Sequence, residues 1–263
     1  MKVALYIILG IVIIVIGFFV WFFVFFLQVP ELNIPENSSE KEKIVLIDNW
    51  LEKLNAERKF NGGILITKDG EPTLAKTYGF TNSKKTEKLN NNSSFRLASI
   101  SKQFTASGIM LLKEKELIDY NDLVSIYIPN FPYDNVTIRN LLNQTSGIPD
   151  TYLDLAEKAK DEIGILTNEK AIKLIVDNKP NANFLPNEKY EYSNTNYIIL
   201  ARIIELVSNQ SFENFMKDNI FIPLEMNDTR VWNLISEDKT FKGKTDGFED
   251  LAGEIREIKP TFV

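Results

Sequence analysis

The polar and apolar positions divide the chain into an uncharged apolar run followed by a domain of mixed pattern. From Val3 to Leu27 there is no charged residue, and most side chains are Ile, Val, Leu or Phe. At 1.5 Å per residue this run exceeds the roughly 20 residues that span a bilayer, so it predicts one N-terminal transmembrane helix. The competing reading is a cleaved signal peptide, which needs a shorter apolar region of about 7–15 residues and small residues at its end. Leu27-Gln28-Val29-Pro30 offers none. Lys2 and the terminal amine precede the run, which orients the N-terminus inside and the domain on the extracytoplasmic side. The expected division is an anchor over 1–30, a polar tether over 31–42 and a domain over 43–263.

Within that domain, Ile44, Ile47, Trp50, Leu51 and Leu54 recur at helical spacing between about Glu42 and Glu57. Gly62 to Thr67 reads as a strand, Lys68-Asp69-Gly70-Glu71 as a turn, and Thr73 to Phe80 as a second strand, together a hairpin. A polar loop through Asn90-Asn91-Asn92 leads to a long helical pattern from near Ser99 to about Lys115. From there to Val207 the pattern is mostly helices and turns. A two-stranded sheet is marginal alone and needs helices or further strands to cover it.

Composition changes this picture mainly by what it lacks. A formal charge of -6 argues against nucleic acid as a partner, because phosphate binding needs a positive field. The chain has no cysteine, which removes disulfides and thiol nucleophiles. It has no histidine either, which excludes a Ser-His-Asp triad and the histidine zinc sites. Any nucleophile is therefore Ser, Thr, Lys or a carboxylate, and any base is Lys, Tyr, Asp or Glu.

A serine served by a lysine base needs the two on one helix face, three or four residues apart. The S-x-x-K pattern occurs at Ser38/Lys41, Ser99/Lys102 and Ser236/Lys239. Only the second lies between apolar segments, with Phe95-Arg96-Leu97-Ala98 before it and an amphipathic helix after it. There Ser99 sits at a helix N-terminus, where the positive dipole end favours a developing oxyanion. Spacing alone leaves two readings of Ser99: nucleophile, or N-cap beside a solvated Lys102. Downstream, Tyr192-Ser193-Asn194 offers a phenol to relay a proton and a carboxamide to meet a substrate amide. Tyr133-Asp134-Asn135 matches the same Y-x-N pattern, but turn chemistry explains it.

The run Phe95-Arg96-Leu97-Ala98-Ser99-Ile100-Ser101-Lys102-Gln103-Phe104-Thr105-Ala106 resembles the nucleophile region of the class C β-lactamase-related serine hydrolases. Three further stretches resemble that family in its order: Leu141 to Pro149, Tyr190 to Tyr197, and Ile222 to Thr229. The resemblance implies an α/β fold of β-lactamase/transpeptidase type, with an antiparallel sheet flanked by helices plus a helical lobe. It implies Ser99 as the acylated serine, Lys102 as its partner base, Tyr192 as proton relay and Asn194 as the substrate-contacting residue. The expected substrate is a cell-wall peptide, a β-lactam or an ester, hydrolysed through an acyl-enzyme without metal or organic cofactor. The D-alanyl-D-alanine carboxypeptidases, β-lactamases and esterases of the family all remain open.

Several positions depart from the family pattern. Gln144 stands where histidine is usual; Asn187, Asn196 and Glu225 stand where glycine is usual. Asparagine tolerates positive φ, so the turns at 187 and 196 are expected to survive. The family completes its site with Lys-Thr-Gly or His-x-Gly on a later strand. Lys244-Thr245-Asp246-Gly247 is interrupted and too early, and reads as a surface turn. The expectation is therefore a chain shortened at its C-terminus, with the last sheet strands absent. That leaves, beside the hydrolase reading, an inactive homologue or binding protein.

Overall fold

The computed structural model describes residues 2–21, 29–232, 243–251 and 254–258. Two compact units emerge, one formed by 1–93 with 242–258, the other by 94–241 with 259–263.

The first unit begins with helix α1 (Lys2–Trp21). The expected span over 3–27 coincides with α1 only as far as Trp21, because residues 22–28 lie outside the described residues. Among the described residues no helix is long and apolar enough to cross a membrane, so the expected crossing helix is not obtained. Pro30 O accepts a hydrogen bond from Trp50 Nε1 at 2.6 Å, and Ser39 is the N-cap of helix α2 (Glu40–Ala56). Ser39 Oγ accepts from the Glu42 N–H, and the Glu42 carboxylate accepts from the Ser39 N–H at 2.7 Å. This capping box satisfies two otherwise unpaired donors and fixes the helix start.

The expected hairpin is β1 (Gly62–Lys68) and β2 (Glu71–Tyr78). Asp69 and Gly70 both have positive φ, 52° and 86°, the requirement of a two-residue turn that matches strand twist. Leu51 and Leu54 of α2 bury against Tyr78 of β2, with Ile47, Trp50, Phe60 and Ile64 around them. An ion pair reinforces this contact: Lys76 Nζ lies 2.7 Å from Asp48 and 2.8 Å from Glu52, while Tyr78 OH donates to Asp48 at 2.7 Å. Lys76 and Tyr78 hold the Asp48 carboxyl below the usual carboxylate range.

A second hairpin, unforeseen in the sequence, joins β3 (Gly247–Leu251) and β4 (Glu254–Ile258) antiparallel. Both sheets are two-stranded among the described residues. The β3–β4 hairpin is tied to the loop after β2 by Asp246 N–H to Thr81 O (2.8 Å) and Ser83 Oγ to Glu257 (2.6 Å). Lys244-Thr245-Asp246-Gly247 thus leads into β3 in this unit, with Thr245 buried, which corrects the surface-turn reading.

The second unit is helical. A 3-10 turn (Ala98–Ser101) runs into α3 (Lys102–Glu114). There follow α4 (Ile138–Leu142), α5 (Tyr152–Lys158), α6 (Lys160–Ile163), α7 (Asn168–Asn178), α8 (Asn194–Ser208) and α9 (Phe212–Met216), which continues as a π-turn over Lys217–Phe221. The core is drawn from Ile109 and Leu112 of α3, Ile138 and Leu141 of α4, Ile175 of α7, and Ile199, Leu200, Ile203 and Ile204 of α8. These positions follow the helical period of each element, so one apolar stripe per helix faces inward. At Gly108 a Cβ would lie 2.8 Å from Met216 Cε and 2.9 Å from Ile204 Cδ1. Glycine there lets α3 approach α8 and α9 closely. That approach brings the N-termini of α3 and α8 together, and with them Lys102 and Asn194.

Candidate active site

Ser99 lies in the 3-10 turn rather than in the first turn of the long helix, and Ala98 before it has φ 46°. A non-glycine residue in that region is strained by about 1–2 kcal/mol. Strain at this position turns the chain so that Ser99 meets two partners. Its Oγ is 2.7 Å from Tyr192 OH and accepts from Lys102 Nζ at 3.2 Å. Lys102 also donates to Asn194 Oδ1 at 2.7 Å, and Tyr192 OH approaches the same oxygen at 3.1 Å. The Lys102 ammonium lies 4.9 Å from the ring centre of Tyr192 and 5.5 Å from that of Tyr197, distances at which ring faces attract a cation. The structure thus brings together all four residues singled out in the sequence.

Burial tends to raise the Tyr192 phenol, but the hydrogen bonds from Lys102 and Ser99 and the charge of Lys102 outweigh it. The phenol lies below its ordinary value near 10. A phenol eased toward phenolate beside a serine hydroxyl is a group able to take its proton.

Two loops carry this geometry. The segment after α4 runs beside the segment before α8: Asn183 N–H donates to Gly147 O (2.8 Å), Asn187 N–H to Thr145 O (2.9 Å) and Glu191 N–H to Gln144 O (2.9 Å). The buried Gln144 side chain adds a second grip, its Oε1 accepting from Ser193 N–H at 3.0 Å and Asn196 Nδ2 at 2.7 Å. Residues 191 and 193 are both bound to Gln144, which leaves the intervening Tyr192 side chain to project toward Ser99. Asn140 Nδ2 donates to Asn187 Oδ1 at 2.7 Å, closing the two loops further.

The departures from the family pattern resolve differently. Asn187 has φ 71° and Glu225 φ 55°, so both take the conformation of the glycine they replace. Asn196 does not. It is fully buried within α8, where its Oδ1 accepts from Ser146 Oγ at 2.7 Å while its Nδ2 serves Gln144. Its side chain is the reason for its presence, and positive φ plays no part. The apolar flank of Ser99 also behaves unexpectedly: Phe95, Leu97 and Ile100 are exposed within this unit, Ile100 at 60%. They give Ser99 no shield from water there.

The rival patterns fall away. Ser38/Lys41 flank the exposed start of α2, and Ser236/Lys239 lie outside the described residues. Tyr133 is a core residue whose OH donates to Pro180 O at 2.8 Å. Sequence reasoning passed over Asp150, which follows the resembling stretch Leu141–Pro149 directly. Its carboxylate accepts from Asn194 Nδ2 at 2.8 Å and from Thr195 N–H at 3.2 Å. The sequence marks Asp150 only as an acidic residue in the loop next to a matching motif; that the Ser193 side chain leaves the start of α8 uncapped is seen only in the structure. Among the described residues no group of three or more His, Cys, Asp or Glu is placed to hold a metal ion.

The family model described as Beta-lactamase matches residues 47–247. Penicillin-binding protein 4* of Bacillus subtilis (strain 168) is 42% identical over 187 residues, covering 71% of this chain and 41% of the relative. Protein flp of Staphylococcus aureus (strain MW2) is 31% identical over 235 residues, covering 86% of this chain and 44% of the relative. The chain therefore spans less than half the length of these two relatives. Among solved structures, the octameric penicillin-binding protein homologue from Pyrococcus abyssi superposes with a TM-score of 0.69 at 29% identity, covering 81% of this chain and 50% of the other. The fold is that of the β-lactamase and penicillin-binding-protein hydrolases, and the chain belongs to the Beta-lactamase family of serine hydrolases.

Proposed function

We propose that this protein is a membrane-anchored serine hydrolase that acts outside the cytoplasm, through an acyl-enzyme, on an amide, β-lactam or ester carbonyl. The observation that carries the reading is the 2.7 Å contact between Ser99 Oγ and Tyr192 OH, with Lys102 Nζ at 3.2 Å from the same oxygen. In the forward step, Ser99 Oγ bonds to the carbonyl carbon and its proton passes to the Tyr192–Lys102 pair. When the carbon–nitrogen or carbon–oxygen bond breaks, that proton goes to the departing amine or alcohol. Water then attacks the ester on Ser99, loses a proton to the same pair and frees the serine. Asn194, held between Lys102 and Asp150, lies where a substrate amide would meet it.

The test is covalent labelling with a fluorescent penicillin and, separately, with a fluorophosphonate, followed by mass spectrometry of the adduct. The expected result is one adduct on the peptide containing Ser99. An adduct on another serine, or none with either reagent, overturns the reading.

A second reading, a binding protein that does not turn over, draws support from the exposure of Ser99 and its apolar neighbours within the second unit. It predicts reversible penicillin binding without a covalent adduct, so the same experiment separates the two.

Anchoring is supported by the uncharged run over residues 3–27 and by the exposure of every side chain from Ile11 to Trp21 on α1. A run of exposed apolar side chains such as that from Ile11 to Trp21 is stabilised by lipid. The full chain is expected to sediment with membranes and to resist extraction by alkaline carbonate. Complete release into the wash would exclude an integral anchor.

A further inference from the structure

The Asp150 carboxylate touches the cluster of Ser99, Lys102, Tyr192 and Asn194 from outside it, and the order of donors along that contact is fixed by chemistry. A carboxylate can only accept and an ammonium can only donate. Asn194 stands between them, with Nδ2 2.8 Å from Asp150 Oδ2 and Oδ1 2.7 Å from Lys102 Nζ. Turned by 180°, the same carboxamide would set its carbonyl against the carboxylate and its NH2 against the ammonium. Both contacts would then be lost. The Asp150 carboxylate is in turn held by α8, where its Oδ1 accepts from Thr195 N–H at 3.2 Å and Thr195 Oγ1 at 3.4 Å.

We infer that Asp150 is a positioning residue: it fixes the orientation of the Asn194 carboxamide, and through it the place of the Lys102 ammonium beside Ser99 and Tyr192. Without Asp150 the Nδ2 end of Asn194 loses its anchor, and only the donors Lys102 and Tyr192 on Oδ1 hold the carboxamide, so the place of the Lys102 ammonium is less tightly fixed. The carboxylate serves a second end as well, since it caps the first turn of α8, whose own N-cap residue makes no side-chain bond. The test must therefore separate orientation from capping.

The effect on acylation rests on the acyl-enzyme reading above. Asp150→Ala is expected to slow labelling of Ser99 by about 10–100-fold, the scale on which small misplacement of a catalytic group is felt. Asp150→Asn keeps one acceptor oxygen of the two; turned toward Asn194 Nδ2 it preserves the orienting contact while giving up the Thr195 N–H, and it is expected to stay within a few-fold of wild type. The decisive variant is Asp150→Ala combined with Asn194→Ala. If Asp150 acts through Asn194, the double variant labels no more slowly than Asn194→Ala alone. A residue that only caps α8 slows the Asn194→Ala protein as much as it slows wild type, and that result overturns the inference.

A readout independent of activity is the side-chain NH2 resonance pair of Asn194 in 15N-labelled protein. It is expected to move in Asp150→Ala and to stay near its wild-type position in Asp150→Asn. Unchanged resonances in Asp150→Ala overturn the inference whether or not the protein labels. Wild type that fails to label while these resonances respond as expected sinks the acyl-enzyme reading and leaves the positioning contact standing.

Discussion

Replacing Ser99 with alanine is expected to abolish covalent labelling, whereas Lys102→Ala and Tyr192→Phe each slow it by about 10²–10⁴-fold, the usual range for loss of a general acid–base group. The difference follows from what each removes. In the proposed mechanism Ser99 Oγ is the atom that forms the bond, so no residual route passes through position 99. Lys102 and Tyr192 would handle one proton between them, since they contact the same Oγ and the same Asn194 oxygen. Groups that act as a unit are not additive. The double variant Lys102→Ala/Tyr192→Phe is therefore expected to be little slower than the slower single one. Full multiplication of the two effects would mean separate tasks and would break the paired assignment.

The pH dependence gives the same pair a sign. Tyr192 lies below its ordinary value near 10 because Lys102 and Ser99 outweigh the opposing effect of burial. The phenolate fraction grows with pH, so the acylation rate is expected to rise with pH and level off below pH 10. In Tyr192→Phe that limb disappears and the slow residual rate is flat across it. A wild-type profile without a rising limb would remove Tyr192 as the proton acceptor.

Gly147→Ala is expected to destabilise the second unit by about 3 kcal/mol or more and to slow labelling sharply. Gly147 has φ 76°, and a Cβ there would lie 2.0 Å from Phe184 O, a backbone atom that cannot swing aside. Relief requires the loops on either side to part. Those loops carry the bonds from Asn183, Asn187 and Glu191 that set Tyr192, and Asp150 lies three residues further along. Gly164 supplies the control, since its φ is 59° but no atom lies within 4 Å of a built Cβ. Gly164→Ala should therefore cost only the conformational strain, about 1–3 kcal/mol. Urea unfolding of both variants decides the matter. A Gly147→Ala protein no less stable than Gly164→Ala would mean that the two loops are not held as described.

Much of the site was legible in the sequence because its chemistry is local. Ser99 and Lys102 lie one turn apart, and Tyr192 and Asn194 two residues apart across a helix start, so the members of each pair are close in sequence and recognisable as a motif. The α2 helix and the β1–β2 hairpin were legible for the same reason: apolar residues at helical spacing from Ile44 to Leu54 and an Asp-Gly turn at 69–70 are short-range signals. The β3–β4 hairpin was not. Gly247-Phe248-Glu249-Asp250-Leu251 and Glu254-Ile255-Arg256-Glu257-Ile258 are mostly polar, and their pairing rests on cross-strand bonds and on contacts with the loop at Thr81 and Ser83.

The sequence by itself singled out Ser99 and Lys102 as candidates and, through the absence of histidine in this chain, excluded a histidine mechanism, because those readings need only residue identity and spacing along one chain. The joining of the two motifs into a site was decided only by tertiary packing. Gly108 admits α8 and α9 against α3, which carries Asn194 to Lys102 across ninety-two residues of chain. Gln144, Asn196 and Asp150 took their roles in the same way. Each is a polar side chain whose partner lies some fifty residues away or nearly so, and no periodicity records a hydrogen bond of that length in sequence. Hydrophobic pattern tells which face of a helix is buried. Which buried donor meets which acceptor depends on the ångström-scale fit between elements, and only the folded chain supplies it.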